Sequence, residues 1–371
     1  MSYNKKKEPL NKNCITSLCG EDCFHNYAYN GCYEQIIRKP SNNMPGQDED
    51  FSLHNDALLS FKDIADEWLR VQQHSIKESS YVKYKNILSL YLLPQFGKEL
   101  ICNIDRKSVV DYACKLLENG GANECPLSPK TASCIISVLK CIFSYVENEK
   151  IHKTVDISHM PIKVTPKEMT LLSADEQTCL TRYLLTDPAP RNLAILLSLY
   201  AGLRIGEVCA LKWEDISDHH IHVHNTMQRI QTFAITGPKT KLVITEPKSV
   251  NSIRTIPLPE HLYPFYRSRR LDGSCFLVSG SSKYVEPRNL ENYYKTVLRK
   301  CGIKYSNYHV LRHTFATRCV ELGFDIKSLS EILGHANVNI TLNRYVHPSM
   351  DLKQKNMNML CSLLTSKPKD I

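Results

Sequence analysis

Apolar residues recur at helical spacing from about residue 58 onward. Ser60 can cap a helix, and the apolar positions that follow it fall on one helical stripe: Phe61, Ile64, Ala65, Trp68 and Leu69. A second stripe ends at Pro94 and Gly97 and consists of Tyr84, Ile87, Leu88 and Tyr91. A third follows Ser128-Pro129 and consists of Ile135, Val138, Leu139, Ile142 and Val146. The pattern predicts an all-helical domain over residues 58–150, followed by a connector over residues 151–166.

The pattern changes after residue 167. A helix through Leu193–Tyr200 is predicted to end at Gly202, and another begins near Arg204 with Ile205, Val208, Cys209 and Trp213 on its inner face. Three short strands are predicted next, at His220–His224, Leu242–Thr245 and Ser252–Pro257, and helices return from Pro287. Residues 167–362 therefore read as an α+β domain, with a tail at 363–371. The fold class is mainly α with a small antiparallel β-sheet.

Residues 1–57 lack a pattern that could build a core. They carry 6 Lys and Arg against 8 Asp and Glu, and residues 39–50 read as a linker. Cysteines cluster here at Cys14, Cys19, Cys23 and Cys32, and a tetrahedral zinc ion would let so short a segment fold. Their spacings do not match the close pairs of common zinc sites, so the favoured prediction is that the chain binds no metal.

Composition describes an ordinary globular protein. The chain has 371 residues, of which 42% are hydrophobic and 23% charged, and this length fits about two domains. No apolar run reaches the roughly 18 residues that a membrane helix needs, and no signal sequence is evident, so the expected location is the cytoplasm, where the 15 cysteines would stay reduced. Residues 167–371 carry 27 Lys and Arg against 18 Asp and Glu, which indicates a polyanionic partner for the C-terminal half.

The first candidate for chemistry is an arginine at a glycine break. Arg204 follows Gly202 on the predicted first turn of a helix. Free backbone N–H groups and the positive end of the helix dipole favour an anion at such a position, and a guanidinium added there makes a phosphate clamp. A surface arginine at a helix start is the alternative.

Further candidates lie near the C-terminus. His309 and Arg312 are three residues apart and share one helix face, His335 lies in Leu-Gly-His, and Tyr345 follows ten residues later. Each histidine alone is more typical of a satisfied polar side chain than of a catalyst. Two arginines, two histidines and a tyrosine in one basic domain suit nucleophilic attack on a phosphodiester without a metal.

These motifs resemble those of the tyrosine recombinase (phage integrase) family. The matches are Ala-Gly-Leu-Arg-Ile-Gly-Glu at 201–207, His-x-Leu-Arg-His-Thr at 309–314, Leu-Gly-His at 333–335 and the tyrosine at 345, in the order and with the spacings of the family. The resemblance implies a helical core-binding domain at 58–150 that binds DNA and a catalytic domain at 167–362. Tyr345 would then attack the scissile phosphate and form a 3′-phosphotyrosyl intermediate.

The resemblance also implies a role for the other residues. Arg204 and Arg312 would hold the phosphate oxygens, His309 would assist proton transfer, and His335 would donate to a phosphate oxygen. A lysine just upstream of a strand would protonate the leaving 5′-oxygen, and Lys248 fits that place, with Lys239 and Lys241 as alternatives.

Other arginines and histidines of this domain are predicted to have surface or structural roles. Arg254 is expected to touch the DNA backbone or the sheet surface, and His313 to support its helix. The alternating histidines His220, His222 and His224 share one strand face, which could bind a transition metal but is more typical of a solvent-facing surface.

The predicted function is site-specific recombination of double-stranded DNA, which would integrate or excise a mobile element without a cofactor. The alternatives are a type IB-like topoisomerase and a non-catalytic DNA-binding scaffold. The resemblance implies a homotetramer on paired DNA sites, with an accessory excision factor as a further partner. It leaves open whether residues 1–57 bind arm-type DNA, and whether a helix with Met357, Leu360 and Leu364 packs on its own chain or on a neighbour.

Overall fold

The computed structural model describes residues 59–160, 162–165, 169–187, 189–217, 219–233, 237–247, 250–268, 270–346, 353–354 and 357–358. The chain divides at Lys167 into two compact units, Met1–Lys167 and Glu168–Ile371. The four clustered cysteines, Lys248, and Leu360 and Leu364 lie outside the described residues. None of the helices in the described ranges is long and apolar enough to span a membrane.

The first unit is helical. Its helices are α1 (Phe61–Ser75), α2 (Glu78–Ile87), α3 (Leu93–Phe96), α4 (Arg106–Asn119) and α5 (Pro129–Asn148). Ser60 caps α1 and Ser128 caps α5 through their side-chain hydroxyls, as their sequence positions predict. The predicted apolar stripes of both helices are buried, because each stripe faces the core of this unit.

The helix predicted to stop at Pro94 and Gly97 ends at Gly97, its C-cap residue. Before that end, α2 continues through a π-helical turn, Leu88–Leu92, into α3, where Pro94 occupies the first turn. Helix α4 was not predicted, although Val109, Tyr112, Ala113 and Leu116 fall at helical spacing and bury one face of it.

The second unit combines helices with short strands. Its elements in chain order are α6 (Ala174–Thr186), α7 (Pro190–Tyr200), α8 (Ile205–Ala210), β1 (His220–Val223), β2 (Thr226–Gln231), β3 (Thr240–Thr245), β4 (Arg254–Pro257), α9 (Tyr263–Ser268), α10 (Pro287–Lys300), α11 (Val310–Glu321), α12 (Ile326–Leu333) and α13 (Val338–Tyr345). Trp213, expected on the inner face of α8, lies instead in a buried 3₁₀ turn after that helix.

The strands form two antiparallel pairs rather than one sheet. Strand β1 pairs with β4, with Ile221 opposite Ile256, and β2 pairs with β3, with Gln228 opposite Val243. Strand β2 was not predicted, because the polar sequence Thr-Met-Gln-Arg-Ile-Gln buries only Met227 and Ile230. It packs against α8, and so lies beside the helix that begins at Arg204.

The core of the second unit brings distant helices together. Helix α11 packs against α7, and α12 packs against both α11 and α13. A small cluster formed by Ala316, Cys319, Leu329, Leu333 and Tyr345 joins these C-terminal helices. The packing therefore collects the C-terminal motifs on the side of α11 where α12 and α13 lie.

Candidate active site

Arg204 is fixed by the cap of its own helix. It is the N-cap residue of α8, and Glu207, three residues on, accepts hydrogen bonds from the Arg204 backbone N–H (3.0 Å) and from its Nη1 (2.8 Å). Gly202 precedes this turn with φ of +66°, a conformation that favours glycine. The local sequence therefore sets both the direction of the chain and the direction of the guanidinium.

Arg312 lies on the first turns of α11 and is almost fully buried. Its Nη1 donates to the carbonyl of Gly202 (2.8 Å) and its Nη2 to the carbonyl of Leu333 (2.7 Å). Arg204 Nη1 also approaches the Leu333 carbonyl, at 3.5 Å. The two guanidinium groups therefore converge on the C-terminal end of α12, and they form a dication that suits a phosphate.

His335 follows directly from that helix end. Gly334 closes α12 in a left-handed conformation, and the chain then places the buried ring of His335 so that its Nδ1 lies 2.8 Å from the Thr341 Oγ1. Its ring stacks parallel to that of Tyr345, with centroids 6.4 Å apart. Thr341 and Tyr345 both belong to α13, so this helix orients the histidine and also carries the tyrosine.

Tyr345 is the last residue of α13 and its side chain is buried. Its hydroxyl lies 2.9 Å from the Nδ1 of His313, and Arg344 Nη2 lies 3.2 Å from the Nε2 of the same ring. His309 packs edge-on against His313, with centroids 4.4 Å apart. His313, for which the sequence suggested only support of its helix, therefore contacts the tyrosine hydroxyl.

The segment that follows Lys248 contacts the His335 loop. Asn251 Nδ2 donates to the carbonyl of Ala336 (3.3 Å) and Ser252 Oγ to that of Gly334 (3.4 Å). These two acceptors flank His335. Of the alternative lysines, Lys241 lies exposed on β3 and Lys239 directly precedes that strand.

Arg254 is not on the surface, and that expectation was wrong. It lies on β4 with its side chain buried, and its Nε donates to the carbonyl of Ile332 (2.6 Å). Its Nη1 and Nη2 reach the carboxylate of Glu207 at 3.2 and 2.9 Å. The strand pattern places Arg254 on the same buried face as Ile256, and α12 packs against β4 and contacts Arg254.

Glu207 is a buried carboxylate between two arginines. Burial by itself would raise the pKa of this carboxyl, but the charges of Arg254 and Arg204 outweigh burial and hold the pKa well below its ordinary value of 4.5. The group is therefore ionised throughout the physiological range. Its position three residues after the N-cap is a recognisable capping signal, whereas its pairing with Arg254 has no counterpart in the local sequence.

The alternating histidines adopt the solvent-facing arrangement. Ile221 and Val223 are buried while His220 and His222 are exposed, and His224 Nε2 lies 2.8 Å from Asp215 Oδ1. Among the residues that the structure describes, no three His, Cys, Asp or Glu side chains are grouped as a metal site.

Comparison with known proteins finds two matching families. Residues 170–351 match the family described as phage integrase family, and residues 60–117 match phage integrase, N-terminal SAM-like domain. A tyrosine recombinase XerC-like protein of Caldanaerobacter subterraneus subsp. tengcongensis is 30% identical over 319 residues, which cover 78% of this chain and 79% of that protein. The transposase from transposon Tn916 of Enterococcus faecalis is 24% identical over 314 residues, which cover 78% of this chain and 74% of that protein.

Solved structures share the fold. The Tn1549 transposon integrase in complex with a circular intermediate DNA superposes with a TM-score of 0.64 at 20% identity, covering 81% of this chain and 99% of that one. A lambda integrase tetramer bound to a Holliday junction superposes with a TM-score of 0.58 at 16% identity, covering 78% of each chain.

Proposed function

The chain belongs to the phage integrase family of tyrosine recombinases, and from that premise we propose which of its residues carry the reaction. It is a site-specific DNA recombinase of the mobile-element integrase type. The topoisomerase and scaffold alternatives gain no support from the proteins named above, which are recombinases, integrases and transposases.

Tyr345 is the nucleophile in this proposal. Its Oη attacks the scissile phosphorus, a bond from phosphorus to Oη forms, and the bond from phosphorus to the 5′-oxygen breaks. His309 assists the loss of the phenolic proton to solvent water, and Lys248 supplies a proton to the departing 5′-oxygen. The phosphotyrosyl bond keeps the energy of the broken ester, so rejoining needs neither ATP nor a metal.

Arg204, Arg312 and His335 hold the phosphate. The observation that carries the proposal is the convergence of both guanidinium groups on the Leu333 carbonyl, two residues before His335, whose ring stacks on that of Tyr345. Loss of one such donor costs about 10²- to 10³-fold in rate. The role of Lys248 is supported by its neighbours Asn251 and Ser252, which bond to the carbonyls on either side of His335.

His309 is included on its family motif and its place beside the nucleophile. Its ring packs edge-on against His313, which touches the Tyr345 hydroxyl, so His309 lies one ring away from the nucleophile. In this proposal His309 assists the loss of the phenolic proton to water, and His313 supports the phenol as a hydrogen-bond donor.

We extend the proposal to domains and partners. Residues 58–150 bind DNA, residues 167–362 catalyse, and the flanking segments 1–57, 151–166 and 363–371 serve as extension, connector and tail. The division of the chain at Lys167 supports this boundary. Two duplex sites present four strands to cut, so four copies of the chain would act together, with an excision factor setting the direction. The DNA substrate implies a cytoplasmic location.

Covalent trapping on nicked duplexes tests the nucleophile. The substrates carry the sequences that flank the gene for this chain, and EDTA is present throughout. The wild type is expected to form a denaturant-stable adduct with DNA, and Tyr345→Phe to bind the same DNA without forming one. Tyr305→Phe, which alters an exposed tyrosine after α10, is the matched control and should behave as wild type. An adduct that persists in Tyr345→Phe would refute the assignment.

A further inference from the structure

Glu207 is shared by two arginines. Its Oε1 accepts from Arg204 Nη1 (2.8 Å) and from Arg254 Nη1 (3.2 Å), and its Oε2 accepts from the Arg204 backbone N–H (3.0 Å) and from Arg254 Nη2 (2.9 Å). The side chains of Glu207 and Arg254 are 3% and 6% exposed, whereas that of Arg204 is 27% exposed. Arg204 therefore faces solvent, where a phosphate can reach it, and Arg254 lies behind the carboxylate.

Arg254 is anchored independently of Glu207. Its Nε donates to the Ile332 carbonyl (2.6 Å) and its Nη1 to the Ser252 carbonyl (3.0 Å). The planar guanidinium has five N–H donors and makes four hydrogen bonds here, to two carbonyls and to both oxygens of the carboxylate, whereas an ammonium group has only three donors. Arg254 therefore joins β4, the first turn of α8 and the C-terminal end of α12 at one point.

The charges around Glu207 show what this arrangement achieves. Without Arg254, the charge of Glu207 would be balanced by Arg204 and Arg312 alone, the two guanidinium groups that have to meet the phosphate. Arg254 compensates the charge of Glu207, so the carboxylate can still orient Arg204 through two hydrogen bonds while Arg204 keeps a net positive charge for the DNA. The effect is strong because both paired groups are buried, where charges are poorly screened.

We propose that Arg254 is a positioning residue for the reaction: it takes one side of the Glu207 carboxylate, and so keeps Arg204 both oriented and electrostatically available to the scissile phosphate. The inference rests on the proposed function, because it presumes that Arg204 binds that phosphate. Arg254 itself touches no DNA in this proposal.

The test compares single-turnover adduct formation, at saturating nicked DNA, with DNA affinity measured separately. Arg254→Met is expected to slow adduct formation by about 10²-fold, the typical loss for a transition-state charge contact, while affinity stays within about threefold of wild type. Arg254→Lys keeps a charge but lacks the planar guanidinium, and its rate should fall between the two. Arg318→Met is the matched control, since Arg318 also joins a backbone carbonyl and a glutamate but has no bond to Glu207; its rate should match wild type.

A double variant isolates the role of charge compensation. If Arg254 acts through Glu207, then Glu207→Gln and the double variant Glu207→Gln/Arg254→Met should form the adduct at rates within about threefold of each other, and both faster than Arg254→Met. Both of these variants lack the buried carboxylate charge, so the comparison of their two rates tests the proposal even if Arg254→Met alone fails to fold.

Three results would overturn the proposal. The first is a double variant that forms the adduct at least about tenfold more slowly than Glu207→Gln. The second is a wild-type rate of adduct formation in Arg254→Met, and the third is an Arg254→Met defect that lies entirely in DNA affinity. Failure of the proposed function gives a different result, because wild type itself would then form no adduct that depends on Tyr345.

Discussion

The protonation of His313 follows from its two neighbours. A guanidinium can only donate hydrogen bonds, so the contact of Arg344 Nη2 with Nε2 makes that nitrogen the acceptor. In the neutral ring the proton then lies on Nδ1, which donates to the Tyr345 oxygen. A donor at the phenolic oxygen stabilises the phenolate that attack on phosphorus requires. In this conformation His313 supports the nucleophile as a donor and not as a base.

Replacing His313 tests this donor. His313→Phe keeps a ring of similar size but removes the hydrogen bond, and we expect adduct formation at saturating DNA to slow by about tenfold or more, the usual scale for a single positioned donor. His313→Asn is the matched variant, because its amide nitrogen can replace Nδ1, and it should keep more of the rate. Equal losses in the two variants would show that ring packing, not donation, is what matters.

The depressed pKa of Glu207 makes stability depend on pH. Because its folded pKa lies below the ordinary value of 4.5, the ionised group stabilises the fold above about that pH, and this contribution is lost as pH falls toward the folded pKa. We expect the Tm of wild type to exceed that of Glu207→Gln near neutrality, and the gap to narrow between about pH 5 and about pH 3. Thermal unfolding of both proteins over this range checks it. Parallel curves would argue against a depressed pKa.

At the scale of elements, the site residues lie at the ends of helices rather than in their middles. Arg204 caps α8, His309 directly precedes α11, His335 follows the end of α12, and Tyr345 closes α13. Helix ends carry backbone groups without helical partners, and side chains there can turn toward a common point. The Leu333 carbonyl, which accepts a hydrogen bond from Arg312, is one such group.

A substitution at Gly202 tests how tightly the turn before α8 packs against α11. Besides its left-handed φ, a Cβ at this position would lie 2.6 Å from the Phe315 ring, so Gly202→Ala combines backbone strain with overpacking and should lower the free energy of unfolding by about 3 kcal/mol. Gly302 has φ of +70° with nothing near the added atom, and Gly302→Ala should cost only about 1 kcal/mol. Urea unfolding measures both. Similar losses would mean that α11 yields to the added methyl group.

At the scale of the whole molecule, the described chain has separate cores. The buried cluster of the first unit runs from Phe61 to Ile157, and the clusters of the second lie between Leu172 and Tyr345. Each unit therefore contains the apolar surface that its own helices need.

Independent folding of the two units follows from these cores. We expect fragments 59–167 and 168–371 to be folded when produced separately, each with one cooperative urea transition, because neither borrows buried residues from the other's cluster. Circular dichroism and urea titration test this. A fragment without a cooperative transition would show that its core needs the rest of the chain.

Local interactions made much of this protein predictable. Caps such as Ser60 and Ser128, the stripes of α1 and α5, and the turn that presents Arg204 depend on neighbours within a few residues, so the sequence alone determined them. Strand β2 was not predicted because its apolar signal is weak, and packing against other elements makes up for that weakness. The stripe of α4 has regular helical spacing, so that helix was within reach of the sequence pattern. The motif residues themselves, Arg204, His309, Arg312, His335 and Tyr345, were all identifiable before any geometry was known.

Tertiary structure alone decided how those residues work together. Arg204 and Arg312 meet at Leu333, which is 129 and 21 residues away along the chain, and Arg254 reaches Glu207 across 47 residues. Such contacts depend on how whole helices pack, and a polar side chain on an alternating strand looks the same in sequence whether another element covers it or not. The surface arginine expected at position 254 is buried for that reason: α12 lies over β4 and excludes water from that face.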